Sequence, residues 1–223
     1  MIKQRLIIFG KAVLAGMAIG IGGDVYLTLQ AGVADATRVS MFNETIGALM
    51  FAVGLYAICV LELYLFTGKV GYALTTTYRR SYAVDLVVGF LGNYVGAIGL
   101  ALAVRQMKLT KLQPTLEAMV LGKLEKSWLT LLIAGILCGM LVYIAVEGYK
   151  RTKNPLIILL SIATFILCGY EHCVADMFYF AAAGLWTWQV LLVILVVAVG
   201  NSLGAWLVHC ICQLTTTPKL KKQ

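Results

Sequence analysis

His172 is the residue whose type and setting say most about chemistry. It sits in Gly169-Tyr170-Glu171-His172-Cys173-Val174-Ala175-Asp176, a polar interruption deep inside an apolar stretch, and it is one of two histidines in the chain. Ionisable groups at membrane depth are costly unless they face a bundle interior or a wet path, so the first reading is a pathway-lining residue and the second a structural hydrogen bond. Imidazole suits the anions of weak acids because a small change in surroundings loads or removes its proton near neutral pH, and it can donate in either state. Glu171, next in sequence, points another way and reads as a clamp on the broken backbone. Thr67, in Leu65-Phe66-Thr67-Gly68-Lys69, offers a small hydroxyl donor beside a glycine. Lys69 either draws anions into a vestibule or snorkels to the interface. Asp24 and Glu62 read as partners of basic or backbone groups at helix interfaces. His209 with Cys210 and Cys212, and Cys168 with His172 and Cys173, invite a metal, but neither set places four ligands convergently. No metal, no cofactor and no enzyme is expected, because no nucleophile or partner set accompanies Glu171 and His172.

The elements that carry these residues follow from composition. Apolar residues make up 61% of the 223 positions and charged residues 13%, a balance that belongs to an integral membrane protein. The net charge of +8 is spread over segment ends with no aromatic-interleaved basic face, which argues for topology signals and against nucleic acid. The six cysteines lie in apolar segments and read as small hydrophobes. The N-terminal stretch lacks a small-residue cleavage site and reads as mature protein.

A crossing needs about 20 apolar residues, and six segments qualify: roughly 12–34, 44–78, 82–104, 127–149, 155–184 and 186–213. The second and fifth are too long for one straight span and too short for two, and each carries a polar interruption, at Phe66–Lys69 and at Glu171–Asp176. Each is expected to be one broken crossing around a lined cavity, since irregular backbone survives at membrane depth only where protein or water shields it. The two breaks hold corresponding places in two three-span units, roughly 1–105 and 106–223, and an odd number of spans inverts the second unit relative to the first. The expectation is a single all-α transmembrane domain with an inverted 3+3 repeat that brings Thr67 towards His172. Basic residues favour one side (Lys3, Arg5, Lys11, Arg79, Arg80, Lys150, Arg151, Lys153, Lys219, Lys221, Lys222) over the other (Arg38, Arg105, Lys108, Lys111, Lys123, Lys126), which puts both termini in the cytoplasm. The second set includes a basic loop over 105–126.

The stretches Leu65-Phe66-Thr67-Gly68 and Gly169-Tyr170-Glu171-His172-Cys173-Val174-Ala175-Asp176-Met177-Phe178 resemble the formate/nitrite transporter family, and with the six-span plan the resemblance covers almost the whole chain. It implies an aquaporin-like homopentamer with one pore per protomer, passing formate, nitrite or hydrosulfide across a lipid membrane. On matching positions it implies His172, Thr67, Glu171 and Asn201 as pore-selectivity residues. It also implies Phe51, Leu55, Leu65, Phe66, Val142 and Phe165 as apolar constrictions, and Lys123 as a vestibule lysine; Lys69, just past the loop threonine, is not universal in the family. The chain departs from the family pattern at Gly139, Asp176 and Cys173, where asparagine, asparagine and serine are usual. Paired Asn-Pro-Ala motifs of a water or glycerol channel are absent; the lone Asn154-Pro155 lies at a loop boundary. The rivals to a pore are an intramembrane enzyme and a purely structural membrane subunit.

Overall fold

The computed structural model describes residues 2–31 and 41–215. Arg38, Lys219, Lys221 and Lys222, which contribute to the topology argument, lie outside the described residues. The described residues form eight α-helices: α1 Ile2–Ala31, α2 Met41–Val60, α3 Phe66–Lys69, α4 Arg79–Leu124, α5 Trp128–Thr152, α6 Pro155–Leu167, α7 Cys173–Ala183 and α8 Trp188–Thr215, with a 3-10 turn Val70–Leu74 continuing α3. Five helices are long and apolar enough to cross a membrane, and α6 and α7 are shorter apolar helices. With α6 and α7 taken as two halves of one crossing, the crossings number six, and the second and fifth are the broken ones.

The breaks sit a few residues earlier than the polar residues suggest. Phe66–Lys69 is helical, and the first gap is Leu61–Leu65. The second gap is Cys168–His172, and Asp176 lies in the first turn of α7. Polar residues therefore cluster where each break gives way to the next helix start: Thr67 and Lys69 in α3, Glu171 and His172 as the last two residues of the second gap. Both preceding helices end the same way. Leu61 N–H donates to Ala57 O at 2.9 Å and Leu63 N–H to Ile58 O at 3.0 Å, while Cys168 N–H donates to Thr164 O at 3.0 Å and Tyr170 N–H to Phe165 O at 3.0 Å. Each end needs one left-handed residue, supplied by Glu62 (φ 51°) and Gly169 (φ 67°). The wrapped-back amide satisfies a carbonyl that the end of a helix would leave bare.

The third helix of each half packs on the first so closely that backbones touch. A β-carbon at Gly96 of α4 would lie 1.9 Å from the Val13 carbonyl oxygen, and one at Gly204 of α8 would lie 2.0 Å from the Ile136 carbonyl oxygen. Small residues at such crossings replace the hydrophobic drive that lipid does not supply.

The segment over 105–124 is not a loop. It continues α4, because Leu112, Leu116 and Val120, spaced by one helical turn, are buried and no glycine stops the helix before Gly122. The boundary between residues 105 and 106 thus falls inside α4. Straight, α4 would hold Asn93 and Lys123 about 45 Å apart. Short contacts through Phe66, Thr67, His172 and Glu171 join those two residues, so α4 bends between them. Pro114 lies within that stretch and removes one rung of the helix ladder. Near the middle of α4, Arg105 donates to Ala182 O at 2.7 Å, capping the last turn of α7.

Gly96→Ala and Gly204→Ala are each expected to cost about 3 kcal/mol by forcing helices apart. Gly99→Ala, where a β-carbon meets nothing within 4 Å, should leave the melting temperature of the detergent-purified protein unchanged.

Candidate functional site

A break in a membrane helix exposes amides and carbonyls that must find partners, and two buried asparagines supply them. Asn93 of α4 accepts from Phe66 N–H at 2.8 Å and donates to Ala12 O at 2.8 Å and Tyr64 O at 2.9 Å. Asn201 of α8 accepts from Cys173 N–H at 3.0 Å and donates to Gly135 O at 2.8 Å and Glu171 O at 2.9 Å. Each amide side chain thus ties the first helix of its half to the end of a gap and to the start of the half-helix that follows it. Two weaker backbone bonds repeat the pattern, Tyr64 N–H to Lys11 O and Glu171 N–H to Ala134 O, both 3.4 Å. Asn201 was expected as a pore residue. Its full burial and three backbone bonds make it a brace instead. Asn93 was missed, although Gly92-Asn93-Tyr94-Val95-Gly96 and Gly200-Asn201-Ser202-Leu203-Gly204 share Gly-Asn-x-x-Gly at matching places.

With the breaks held, the two half-helix starts meet. Thr67 Oγ1 lies 2.9 Å from His172 Nε2, and both residues are buried. His172 caps α7: its Nδ1 accepts from Ala175 N–H at 3.3 Å. An acceptor nitrogen carries no proton, so the neutral ring bears its hydrogen on Nε2 and donates it to Thr67.

Around this pair, Ile19, Phe51, Leu55, Leu65, Val142, Ile162, Phe165 and His172 enclose a cavity of about 10 Å³, room for no more than about one water. Phe165 stands edge-on to Phe51 with centroids 5.9 Å apart and tilts over the His172 ring at 6.1 Å. Phe51, Leu55, Leu65, Val142 and Phe165 were expected there; Ile19 and Ile162 were not. Phe66 is corrected: as the first residue of α3 its amide is held by Asn93, and its ring turns away to pack on Phe90 of α4 at 5.1 Å.

Two wider cavities flank the constriction and share its walls. One, of about 330 Å³, shares Phe51, Phe165 and His172 with it and is lined by Lys123, Lys126, Glu171 and Asp176. The other, of about 1040 Å³, shares Leu65 with it and is lined by Lys69 among other residues. In the smaller one Lys123 bonds Glu171 and also Asp176, the latter at 2.8 Å, while Lys126 bonds Glu171 at 2.7 Å. Glu171 therefore holds two ammonium groups through its side chain and Asn201 through its carbonyl. Buried charges persist only when paired in this way. Lys123 borders a mouth of the path, yet it is engaged rather than free. Asp176 Oδ2 has no hydrogen-bond partner among the described residues.

His209 belongs to neither the constriction nor its mouths. Thr75 Oγ1 lies 2.8 Å from its Nε2 and the Tyr143 hydroxyl 2.7 Å from its Nδ1, so both ring nitrogens are taken. Trp206 Nε1–H donates to Val70 O at 2.8 Å, and together these contacts fasten the turn after α3 to α5 and α8.

Paired half-helices meeting at a histidine, an apolar pinch and a cavity at either side define a multi-pass α-helical membrane protein of the inverted-repeat, channel-like class. The chain belongs to the formate/nitrite transporter family, whose model matches residues 3–215; this is a family of transporters, not of enzymes. It is 29% identical over 192 residues to "Formate channel FocA" of Haemophilus influenzae, covering 79% of this chain and 66% of that protein. It is 31% identical over 179 residues to "Uncharacterized transporter YrhG" of Bacillus subtilis, covering 73% and 67%. The chain thus spans about two thirds of the length of these relatives. Among solved structures, "FNT family ion channel" superposes with a TM-score of 0.83 at 24% identity, covering 96% of this chain and 91% of that one. "Pentameric formate channel with formate bound" gives 0.83 at 23% identity, covering 95% and 97%.

Lys123→Met is expected to destabilise the protein by about 3 to 5 kcal/mol, because it strands Asp176 and leaves Glu171 half-paired. Adding Asp176→Asn should recover part of that loss in thermal unfolding of the detergent-purified protein. Strictly additive costs would contradict the shared cluster.

Proposed function

We propose that this chain forms a channel for small monovalent anions of weak acids, formate and nitrite first and hydrosulfide as the alternative. The observation that carries the reading is the Thr67–His172 pair set in an apolar pinch of about 10 Å³. The anion enters a mouth in its hydrated form and meets walls that offer no replacement for its water. Stripping a bare charge there costs many kcal/mol, whereas a neutral acid loses only a few. Thr67, accepting from Nε2–H, turns its own hydroxyl hydrogen towards the arriving oxygen.

In the neutral ring Nε2–H is a hydrogen-bond donor only, since giving the proton away would leave an imidazolate. Proton transfer therefore runs through imidazolium. Nδ1 takes up a proton and releases Ala175 N–H, and Nε2 passes its own proton to the anion, directly or through water. The ring left behind carries its hydrogen on Nδ1, facing the Ala175 amide donor to donor, and that repulsion favours return to the resting tautomer. Net movement is then anion with proton.

The family relationship supports the transport class. The solved channel described as pentameric with formate bound supports a homopentamer, with the apolar outer faces of the helices meeting neighbouring protomers and lipid. The basic end, with Lys3, Arg5, Lys11, Lys150 and Lys153, supports both termini in the cytoplasm.

The test is uptake by proteoliposomes holding only the purified protein, comparing formate, nitrite and hydrosulfide with glycerol across an imposed pH gradient. Saturable anion uptake accelerated by the gradient is expected. Thr67→Val should slow it about tenfold, the worth of one hydrogen bond. His172→Asn should slow it further and remove the response to the gradient. Uptake no faster than in empty liposomes would sink the reading, and unchanged pH dependence in His172→Asn would sink the proton step alone.

A further inference from the structure

The two mouths of the path are unlike in charge. In the smaller one Lys123 and Lys126 are matched by Glu171 and Asp176. The larger one is lined by Lys3, Lys11, Lys69, Lys150 and Lys153, with Glu62 as the sole carboxylate lining it among the described residues. Pairing inside this mouth is slight. Lys11 donates to the Glu62 backbone carbonyl at 3.2 Å, so that bond leaves the Glu62 carboxylate unused. Lys150 lies over the Tyr72 ring at 5.1 Å and only 4.0 Å from Glu147, whose carboxylate is already bonded by Tyr72 and Arg151. Lys153 lies over the Tyr149 ring at 5.6 Å. Lys69 is half-buried in the wall, and its ammonium has no hydrogen-bond or ion-pair partner among the described residues.

A cavity of about 1040 Å³ exceeds what a triatomic anion needs and matches the size of small-molecule sites, while the constriction below it holds about 10 Å³. Converging ammonium groups on walls of low dielectric favour ligands that carry several charges at once. We propose that this mouth binds soluble multivalent oxyanions of the phosphate class, which are too large and too strongly hydrated to pass Leu65, and that their binding blocks permeation from this side only. The blocking role rests on the channel reading; the binding site does not.

The experiment pairs two measurements with pyrophosphate as the probe, at fixed ionic strength and in zwitterionic lipid or detergent. Titration calorimetry on the solubilised protein should give saturable binding of one pyrophosphate per protomer, weakened about tenfold or more in Lys69→Gln/Lys153→Gln, since each lost charge removes a direct attraction. Planar-bilayer recording should give block of the formate current from one side, with the opposite side at least about tenfold less sensitive and each variant scored against its own unblocked current. Absence of binding heat, or equal block from both sides, overturns the inference. Formate current without pyrophosphate binding removes the site and leaves the channel reading standing. Pyrophosphate binding without formate current removes the channel reading, and the block with it, and leaves the site.

Discussion

Everything in this molecule depends on satisfying the peptide groups freed where two membrane helices break. A helix in hydrocarbon closes its own hydrogen bonds, and a gap of five residues reopens several of them at a cost of several kcal/mol each. Asn93 and Asn201 close two apiece, each donating once more to a carbonyl of α1 or α5, and His172 closes one more through Nδ1. The left-handed residues Glu62 and Gly169 turn the chain so that the helix ends bond themselves. Because these bonds are strong only in one geometry, they also fix where Thr67 and Nε2 of His172 point.

The same economy governs charge. Glu171 cannot be buried alone, and its two lysines anchor the bent end of α4 against the second break. Asp176 shares Lys123, so the smaller mouth carries balanced charge, while the larger mouth keeps its lysines mostly unpaired. The bend in α4 thereby couples the first half, braced by Asn93, to the cluster beside His172 in the second. Apolar residues from α1, α2, α5 and α6 close around the point where the two meet.

Much of this was legible in the residues. A histidine and a threonine in the polar interruptions of two over-long apolar segments gave the central pair, and the equal order of spans gave the inversion. The breaks themselves were harder to place, because Leu61, Leu63, Tyr64 and Leu65 are apolar and unremarkable in sequence, while the polar Thr67 and Lys69 already belong to the next helix. Asn201 was visible as a polar residue, but only the contacts separate a brace from a pore wall. Its counterpart Asn93 was hidden by the low identity of the halves, despite the shared Gly-Asn-x-x-Gly. The basic character of 105–126 masked the one-turn spacing of Leu112, Leu116 and Val120, and with it the long helix that delivers Lys123 to Glu171.

The hydrogen-bond account comes to a single observable, the tautomer of His172. Nitrogen-15 NMR of histidine-labelled protein in lipid bilayers at neutral pH, with His209 replaced so that one imidazole reports, reads it directly. The prediction is a protonated Nε2 and a bare Nδ1, with the Nδ1 signal moving when Ala175 N–H is removed by Ala175→Pro. A resting ring protonated on Nδ1 would contradict the cap, the orientation of Thr67 and the proton path built on them.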